Sequence, residues 1–345
     1  MRLYLNSSSV ALPPSVNNVV TYFALILMFW IISPLFQDIL AQTNTEDAPS
    51  AEVEIYVADF AEREIRKNIE YSASKLLSAI NTAYLQDNTP ALDSELFERE
   101  IQESVMSLWE SNPFFFPDAR IIESVAQRTD GNFEMRGIAM YLVPSEEEEF
   151  VYEEAVLEFD QQGTITGLRI GLAEHRYQEL MRQAQDDVDD ANRRQILDFV
   201  ESFRTAYNKK DISFIENVFS DQALIIVGKV VESTGEESPY EKQVEYLQYN
   251  KGEYIERLAQ VFEANTWIDV GFEEISIFRH PRHTDMYGVS LTQYYNSEIY
   301  SDVGFLFLLI DFREPQEPMI HVRTWQPKND TPEDEFFSIG DMEIF

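Results

Sequence analysis

The stretch RQILDFVESFRTAYNKKDISFIENVFSDQALIIVGK, residues 194–229, decides how the second half of the chain folds. Its apolar residues recur at three- and four-residue spacings, which predicts a helix with one buried stripe. The stripe consists of Ile196, Phe199, Val200, Phe203 and Tyr207. Lys209-Lys210-Asp211 ends this helix, and the pattern then indicates a short helix over 212–219 and a strand over 223–231.

The rest of the second half continues with one more helix and then strands. A loop containing Gly235 and Pro239 precedes a predicted helix over Lys251–Ala264. Strands are predicted over the ranges 272–278, 286–295, 303–312 and 319–325. Helices followed by a meander of strands are typical of the α+β class.

Residues 194–229 and the downstream order of elements resemble the nuclear transport factor 2-like superfamily, over roughly 191–327. This superfamily includes ketosteroid isomerases, limonene epoxide hydrolases and polyketide cyclases (SnoaL-like proteins). The resemblance implies a cone, in which a bent sheet wraps around helices and leaves a pocket at its wide end. It does not imply an activity, because catalytic, binding and scaffolding proteins share this frame.

The first half looks like a more distant copy of the same plan. Amphipathic patterns predict helices over 54–86 and 93–110, the second with Asp93 as its N-cap. Strands are predicted over the ranges 119–127, 133–143, 151–159 and 164–172. A cystatin-like sheet wrapped on a helix is the alternative for this half. The tandem arrangement resembles exported bacterial envelope proteins of unassigned activity.

A long helix predicted over 174–209 joins the two halves, and we place the domain boundary near Val188 within it. The predicted organisation is therefore two tandem α+β domains, 54–187 and 188–345, each with helices packed on a curved antiparallel sheet. The acidic run Asp186–Asp190 lacks the glycine and turn residues of a calcium loop and is interpreted as a solvated linker.

The first forty residues indicate export. Residues 19–36 form an uncharged apolar run, and a small residue, Ala41, follows where signal peptidase would cleave. Residues 1–41 are therefore predicted to be a signal peptide cleaved after Ala41, and 42–53 a flexible linker. The alternatives are an uncleaved membrane anchor, since 18 residues are close to spanning length, and a buried core helix. The predicted location is periplasmic or extracellular.

Charge and composition exclude several functions. The chain has 26 Lys and Arg against 62 Asp and Glu, a formal net charge of −36. Nucleic acid and anionic membrane surfaces are excluded as partners, because both are bound through excess Lys and Arg. There is no cysteine, which excludes disulfides, thiolate catalysis and Cys-ligated metals. Contact with a membrane is expected only through the N-terminal segment, if it is uncleaved.

The candidate ligand-binding residues are His321, Arg323, Trp325 and Tyr295. Alternation along residues 319–325 places His321, Arg323 and Trp325 on one face, and Ile320, Val322 and Thr324 on the other. On a neighbouring strand, Gln293 and Tyr295 share a face. An arginine and aromatic rings in one cavity would suit an anionic or aromatic ligand. The alternatives are a solvent or subunit-contact face, with Arg323 paired to a carboxylate, and catalysis by His321.

No metal or cofactor is predicted. His280, His283 and Asp285 lie close together in the sequence but have no further candidate ligand nearby, so we interpret them as part of a hairpin loop. There is no Gly-rich phosphate loop, nucleophile elbow or His-Glu-x-x-His motif.

The predicted function is a non-catalytic ligand-binding or scaffolding role in the cell envelope. The expected partner is a small hydrophobic or anionic ligand, or an envelope protein. One alternative is a small-molecule isomerase or hydrolase that uses the C-terminal pocket, and another is a membrane-tethered interaction module. The strand over 304–312 is apolar on both faces, so we expect its second face to be covered by the N-terminal half or by a second copy in a homodimer.

Overall fold

A computed structural model describes residues 48–128, 130–143, 150–182, 188–232, 242–331 and 336–338. Residues Pro49–Phe345 form one compact unit by their internal contacts. The predicted signal segment, its cleavage site and the first half of the predicted linker lie outside the described residues, as do the glutamates 146–149. Among the helices of the described part, none combines the length and apolarity that crossing a membrane requires.

The N-terminal half is a sheet with two helices packed on one face. Its elements are β1 Glu54–Ala58, α1 Arg63–Leu85, α2 Arg99–Ser111, β2 Phe114–Phe115, β3 Arg120–Gln127, β4 Phe133–Leu142, β5 Val151–Phe159 and β6 Ile165–Gly171. The sheet order is β1-β3-β4-β5-β6, with β2 paired to β4. The apolar stripe of α1, including Leu76 and Ile80, is fully buried against the sheet. The four predicted strands correspond to β3–β6.

Two predictions about the helices of this half are wrong. Glu54–Ala58 is a strand and not the start of a helix, because its backbone pairs in parallel with Arg120–Ser124. Its β-branched residues Ile55 and Val57 are buried on one face. Asp93 does not cap α2, which begins six residues later. Its carboxylate instead accepts a hydrogen bond from the Glu95 amide in a turn (2.9 Å).

The C-terminal half has a larger sheet around two of its helices. Its elements are α3 Glu174–Arg182, α4 Asp190–Asn208, α5 Ile212–Val218, β7 Phe219–Glu232, β8 Lys242–Tyr249, α6 Lys251–Ala264, β9 Ile268–Arg279, β10 Met286–Ser297, β11 Ser301–Asp311 and β12 Met319–Pro327. The sheet order is β8-β7-β12-β11-β10-β9, with β7 and β12 parallel. The predicted single helix over 174–209 is two helices, α3 and α4, and residues 183–187 between them lie outside the described part. β8 was not predicted.

Both halves are therefore α+β, as predicted. In the C-terminal half the inner face of the sheet packs on the apolar stripes of α4 and α6 and forms one core, which contains Phe203, Leu258, Leu291 and Leu308. Local chemistry fixes the ends of these helices. The Asp189 side chain caps α4, and Asn250 with Glu253 forms a reciprocal capping box on α6.

The outer face of the C-terminal sheet is partly covered by the chain's own C-terminal segment. Phe307, Leu309 and Val322 form a small buried cluster there, and Phe337 packs against it. Phe336 stacks on Phe305, with ring centroids 4.4 Å apart. These contacts supply a cover for strand β11 that the sequence had not suggested.

Helix α4 connects the two sheets. It contacts β6 of the N-terminal sheet and β9 of the C-terminal sheet. The Thr205 hydroxyl accepts a hydrogen bond from the Ile170 amide (3.0 Å), and the Asn208 side chain accepts one from the Val270 amide (2.7 Å). The helix that begins the C-terminal half thus also completes the packing of the N-terminal half.

Candidate functional site

The C-terminal half has a cavity of about 1050 Å³ that is open to solvent and lies between α6 and the inner face of the sheet. Its wall is formed by side chains from α4, β7, β8, α6, β10, β11 and β12. The side chains that define its chemistry are Tyr207, Tyr254, Leu258, Tyr295, Arg323 and Trp325. The volume is at the upper end of the range for small-molecule sites.

The guanidinium of Arg323 lines this cavity and is nearly completely buried, with 5% of the residue exposed. The ring of Tyr254 lies against it, 5.1 Å from centroid to guanidinium carbon. Its Nε and Nη1 have no hydrogen-bond partner within the described residues. No carboxylate of that part of the chain forms an ion pair with it; Asp302 acts on it only from a longer distance.

Arg323 remains a cation in this environment. Burial acts to lower its pKa, but Tyr254 and Tyr207 hold the pKa of Arg323 above its ordinary value. Arginine does not lose its proton in proteins, so the positive charge is permanent. A buried charge without an opposite charge is costly, and this cavity therefore favours the entry of an anion.

Two tyrosines join α4 to α6 beside this charge. The hydroxyl oxygens of Tyr207 and Tyr254 are 2.5 Å apart. Burial raises the pKa of Tyr207 well above its usual value, and burial raises the pKa of Tyr295 to about 12. These phenols stay protonated at neutral pH, so they act as hydrogen-bond donors. The Tyr295 hydroxyl has no partner among the described side chains.

The mouth of the cavity carries both charge and exposed apolar surface. Asp302 lines the cavity beside Tyr300 with its Oδ1 buried, and burial raises the pKa of Asp302 above that of an ordinary carboxyl group. Arg257 is exposed on α6 and packs over the Tyr249 ring. Ile299 is 69% exposed and forms part of the same rim.

Of the residues predicted from the sequence, the structure brings Arg323, Trp325 and Tyr295 together in the cavity. Gln293 lines it as well, in agreement with the predicted alternation along β10. His321 lies outside the cavity, where its Nε2 is 3.3 Å from the Asp311 carboxylate.

The predicted alternation along β12 is wrong at His321, because the strand contains a bulge there. Leu309 pairs with Val322, but the next residue, Ile310, pairs with Ile320. Ile320 consequently joins the inner core with Trp325, whereas Val322 belongs to the outer cluster. The extra residue turns His321 away from the face that holds Arg323.

Trp325 is held against the backbone of β11. A Cβ added at Gly304 would lie 2.2 Å from the Trp325 ring. Only glycine allows the indole to lie this close to the strand, and the ring can then form one wall of the cavity.

The sequence neighbours His280 and His283 lie in the hairpin between β9 and β10, as predicted. The His280 Nδ1 accepts hydrogen bonds from the amides of Arg282 and His283 (both 3.1 Å), which shapes a turn. The described residues contain no cluster of three or more acidic or histidine side chains suited to a metal ion.

A buried ionic cluster that was not predicted from the sequence lies between the two halves. Glu201 on α4 accepts hydrogen bonds from Arg136 (3.1 Å), Arg169 (3.0 Å) and the Leu172 amide (2.7 Å). Arg169 also donates to Asp198 (3.0 Å). Burial raises the pKa of Asp198 to about 6, although the charge of Arg169 opposes this. These ion pairs stabilise the junction, and Asp198 at the edge of the cluster also lines a second cavity of about 780 Å³.

The sequence did contain a signal for this cluster. Asp198, Glu201, Thr205 and Asn208 recur at three- and four-residue spacings on α4, opposite to its apolar stripe. All four are buried. A regular polar stripe on a helix is compatible with either solvent or a polar interface, and only the partner residues on β4 and β6 distinguish the two.

No protein-family model matches the chain, and no curated protein matches it at a significant level. Solved structures do match. A protein described as a dehydratase of the nuclear transport factor 2-like family from Streptomyces avermitilis is 12% identical, with a TM-score of 0.30, over 40% of this chain and 97% of that one. A nuclear transport factor 2-like protein from Cytophaga hutchinsonii is 15% identical, with a TM-score of 0.29, over 39% and 97%.

A protein with a cystatin-like fold from Caulobacter vibrioides is 10% identical, with a TM-score of 0.29, over 41% of this chain and 90% of that one. The neighbours thus include proteins of both classes that the sequence resembles.

Proposed function

We propose that this chain is an exported, non-catalytic binding protein of the cell envelope whose C-terminal half holds a small molecule. The observation that carries the proposal is the cavity of about 1050 Å³, which the aromatic residues of the C-terminal core line but do not fill. Tyr254, Leu258 and Trp325 give it a largely apolar wall, and such a wall with a few polar groups is typical of ligand sites.

The properties of Arg323, Tyr207 and His321 favour binding over catalysis. Arg323 cannot exchange protons, and burial keeps the pKa of Tyr207 far above neutrality. His321, the side chain best suited to proton transfer near neutral pH, lies outside the cavity.

The proposal is tested by filling the cavity. Protein recovered from the cell envelope is analysed by native mass spectrometry, and we expect a stoichiometric small molecule in addition to the mass of the chain. Leu258→Trp, which places an indole in the cavity, should remove it. Ile122→Trp is the control, because Ile122 is 65% exposed on the N-terminal half. A ligand that survives Leu258→Trp, or a chain that carries none, would contradict the proposal.

Export is tested separately by N-terminal sequencing of the recovered protein. A chain that begins at Gln42 agrees with cleavage after Ala41. A chain that retains residues 1–41 in the membrane fraction would favour the membrane-tethered alternative.

One observation favours an isomerase or hydrolase instead. Asp302 lies at the cavity with a pKa raised by burial, and a carboxyl group in that position can act as a general acid or base. If the recovered ligand exchanged carbon-bound hydrogen for deuterium in heavy water, and Asp302→Asn abolished the exchange, the catalytic role would replace the binding role.

A further inference from the structure

The buried arginines of this protein differ in how their charge is balanced. Arg136 and Arg169 pair with Glu201, and Arg204 pairs with Glu153. Each of these guanidinium groups thus has a carboxylate in direct contact. Arg193 is also buried without an ion pair among the described residues, but the backbone carbonyls of Leu180 and Val188 accept hydrogen bonds from its guanidinium. Arg323 is buried to the same degree, has no ion pair within the described residues, and its Nε and Nη1 have no hydrogen-bond partner there.

A shortage of acids does not explain this difference, since the chain has 62 acidic residues against 26 basic ones. Arg323 lines the cavity, so an anion that enters the cavity can reach its guanidinium. A permanent charge that lies at the wall of a cavity, with no ion pair among the described residues, points to an anion that enters the cavity.

We propose that Arg323 is the anchor for the carboxylate of a ligand with an aromatic body. This inference rests on the proposed function and specifies the chemical class of the ligand. The guanidinium offers planar N–H donors that match a carboxylate in geometry and charge. Its Nε and Nη1 are free to donate, and the Tyr295 hydroxyl is a further free donor in the same cavity.

The positive charge of the cavity wall is suited to a ligand with one negative charge. Arg323 is the only buried cation of the cavity wall among the described residues, and Asp302, the acid that acts on its charge, adds negative charge to the same wall. A dianion such as a phosphate monoester would therefore leave one charge unpaired in a low-dielectric site.

The cavity wall selects the body of the ligand. The rings of Tyr254 and Trp325 and the side chain of Leu258 surround the space next to Arg323. Flat aromatic groups pack well against such walls, and aromatic pairs contribute more binding free energy than their buried apolar area alone provides. The exposed Arg257 at the rim attracts an incoming anion without being part of the buried contact.

The test compares two ligands of equal shape and different charge, 2-naphthoate and 2-naphthamide, by isothermal titration calorimetry on the full chain. In the wild-type protein we expect the carboxylate to bind about 100-fold more tightly than the amide, the usual effect of completing a buried charge pair. Arg323→Gln should reduce this preference to less than about 3-fold, whereas Arg323→Lys should retain part of it.

Arg257→Gln is the matched control. It removes the same charge from the rim, where solvent screens it, and we expect it to weaken naphthoate binding less than about 3-fold. Urea unfolding of each variant confirms that it is folded before titration.

The outcomes separate this inference from the proposed function. If both compounds bind wild-type protein equally, or the amide binds more tightly, the carboxylate anchor is refuted and the binding cavity stands. If the preference survives Arg323→Gln, the anchor is also refuted. If neither compound binds at millimolar concentration, the carboxylate anchor for an aromatic ligand is refuted, and the proposed function is decided by native mass spectrometry of the recovered protein.

Discussion

Replacing Arg323 by methionine is expected to stabilise the ligand-free protein, although it removes a large buried side chain. Without ligand, the guanidinium is buried and no carboxylate among the described residues is in contact with it. Methionine has similar length, is flexible enough to fill the space and needs no partner. A site that holds an unpaired charge for binding reduces the stability of the empty protein.

The structure limits the size of the effect. Exchanging buried ionic groups for apolar ones of similar volume often stabilises a protein, by about 1–4 kcal/mol. The contact of Arg323 with the Tyr254 ring offsets part of this gain, because a desolvated cation–π pair contributes roughly 2 kcal/mol. We therefore expect Arg323→Met to raise the free energy of unfolding by about 1 kcal/mol.

Arg204→Met is the matched control. Arg204 is as deeply buried as Arg323 but pairs with Glu153, and its Nε donates to the Val270 carbonyl (2.6 Å). Removing one partner of a buried ion pair leaves the other charge unpaired, so this variant should lose about 3–5 kcal/mol. Both variants are measured by urea unfolding at pH 7, with equal m-values as the test of comparable unfolding. If Arg323→Met destabilises the protein as much as Arg204→Met, Arg323 is a structural residue and the reasoning is refuted.

Substitutions at Gly304, Asp198 and Asp302 test three other features of the structure. Gly304→Ala should displace the Trp325 ring and weaken naphthoate binding at least 10-fold. Gly271→Ala is the control, because a Cβ added there would make only an ordinary 3.6 Å contact, and it should leave binding unchanged. Equal effects of the two substitutions would contradict the close packing of Trp325 on Gly304. Burial raises the pKa of the Asp198 carboxyl group to about 6 in the folded state, compared with about 3.9 in the unfolded state. Between these two values the folded protein binds a proton that the unfolded chain does not. The free energy of unfolding should therefore rise by about 1 kcal/mol when the pH is lowered from 7 to 5. Urea unfolding of Asp198→Asn should show no such gain in stability. If the wild-type protein and Asp198→Asn have the same pH dependence, Asp198 is not the titrating group. Asp302→Asn removes a negative charge from the cavity wall, where it repels the naphthoate anion, and should tighten naphthoate binding by about 3-fold in calorimetry. Weaker binding would show that the Asp302 carboxyl group contacts the ligand.

Elements defined by local patterns could be predicted from the sequence. The helix over Lys251–Ala264 was predicted with its observed ends, because its apolar stripe is a local pattern; the Asn250 cap found in the structure is local as well. Strand β1 could not be predicted in the same way. Residues Glu54–Ala58 become a strand through parallel pairing with β3, more than sixty residues away, and a local spacing pattern does not contain that information.

The candidate site could be predicted only in part, for a similar reason. Alternation was sufficient to place Arg323 and Trp325 on one face. It failed at His321, because the bulge in β12 depends on pairing with the neighbouring strand β11. Tyr207 and Asp302 reach the cavity from α4 and β11, so their role follows from the closed sheet and not from any motif.

The central claim is that Arg323 binds the negative charge of a ligand inside the C-terminal cavity. The most direct measurement is a crystal structure of the protein saturated with 2-naphthoate. The account predicts the naphthalene ring between Tyr254 and Trp325, with a carboxylate oxygen within about 3.2 Å of the Arg323 Nε or Nη1. A carboxylate of the protein itself bound to Arg323, or a ligand whose carboxylate points out of the mouth, would contradict it.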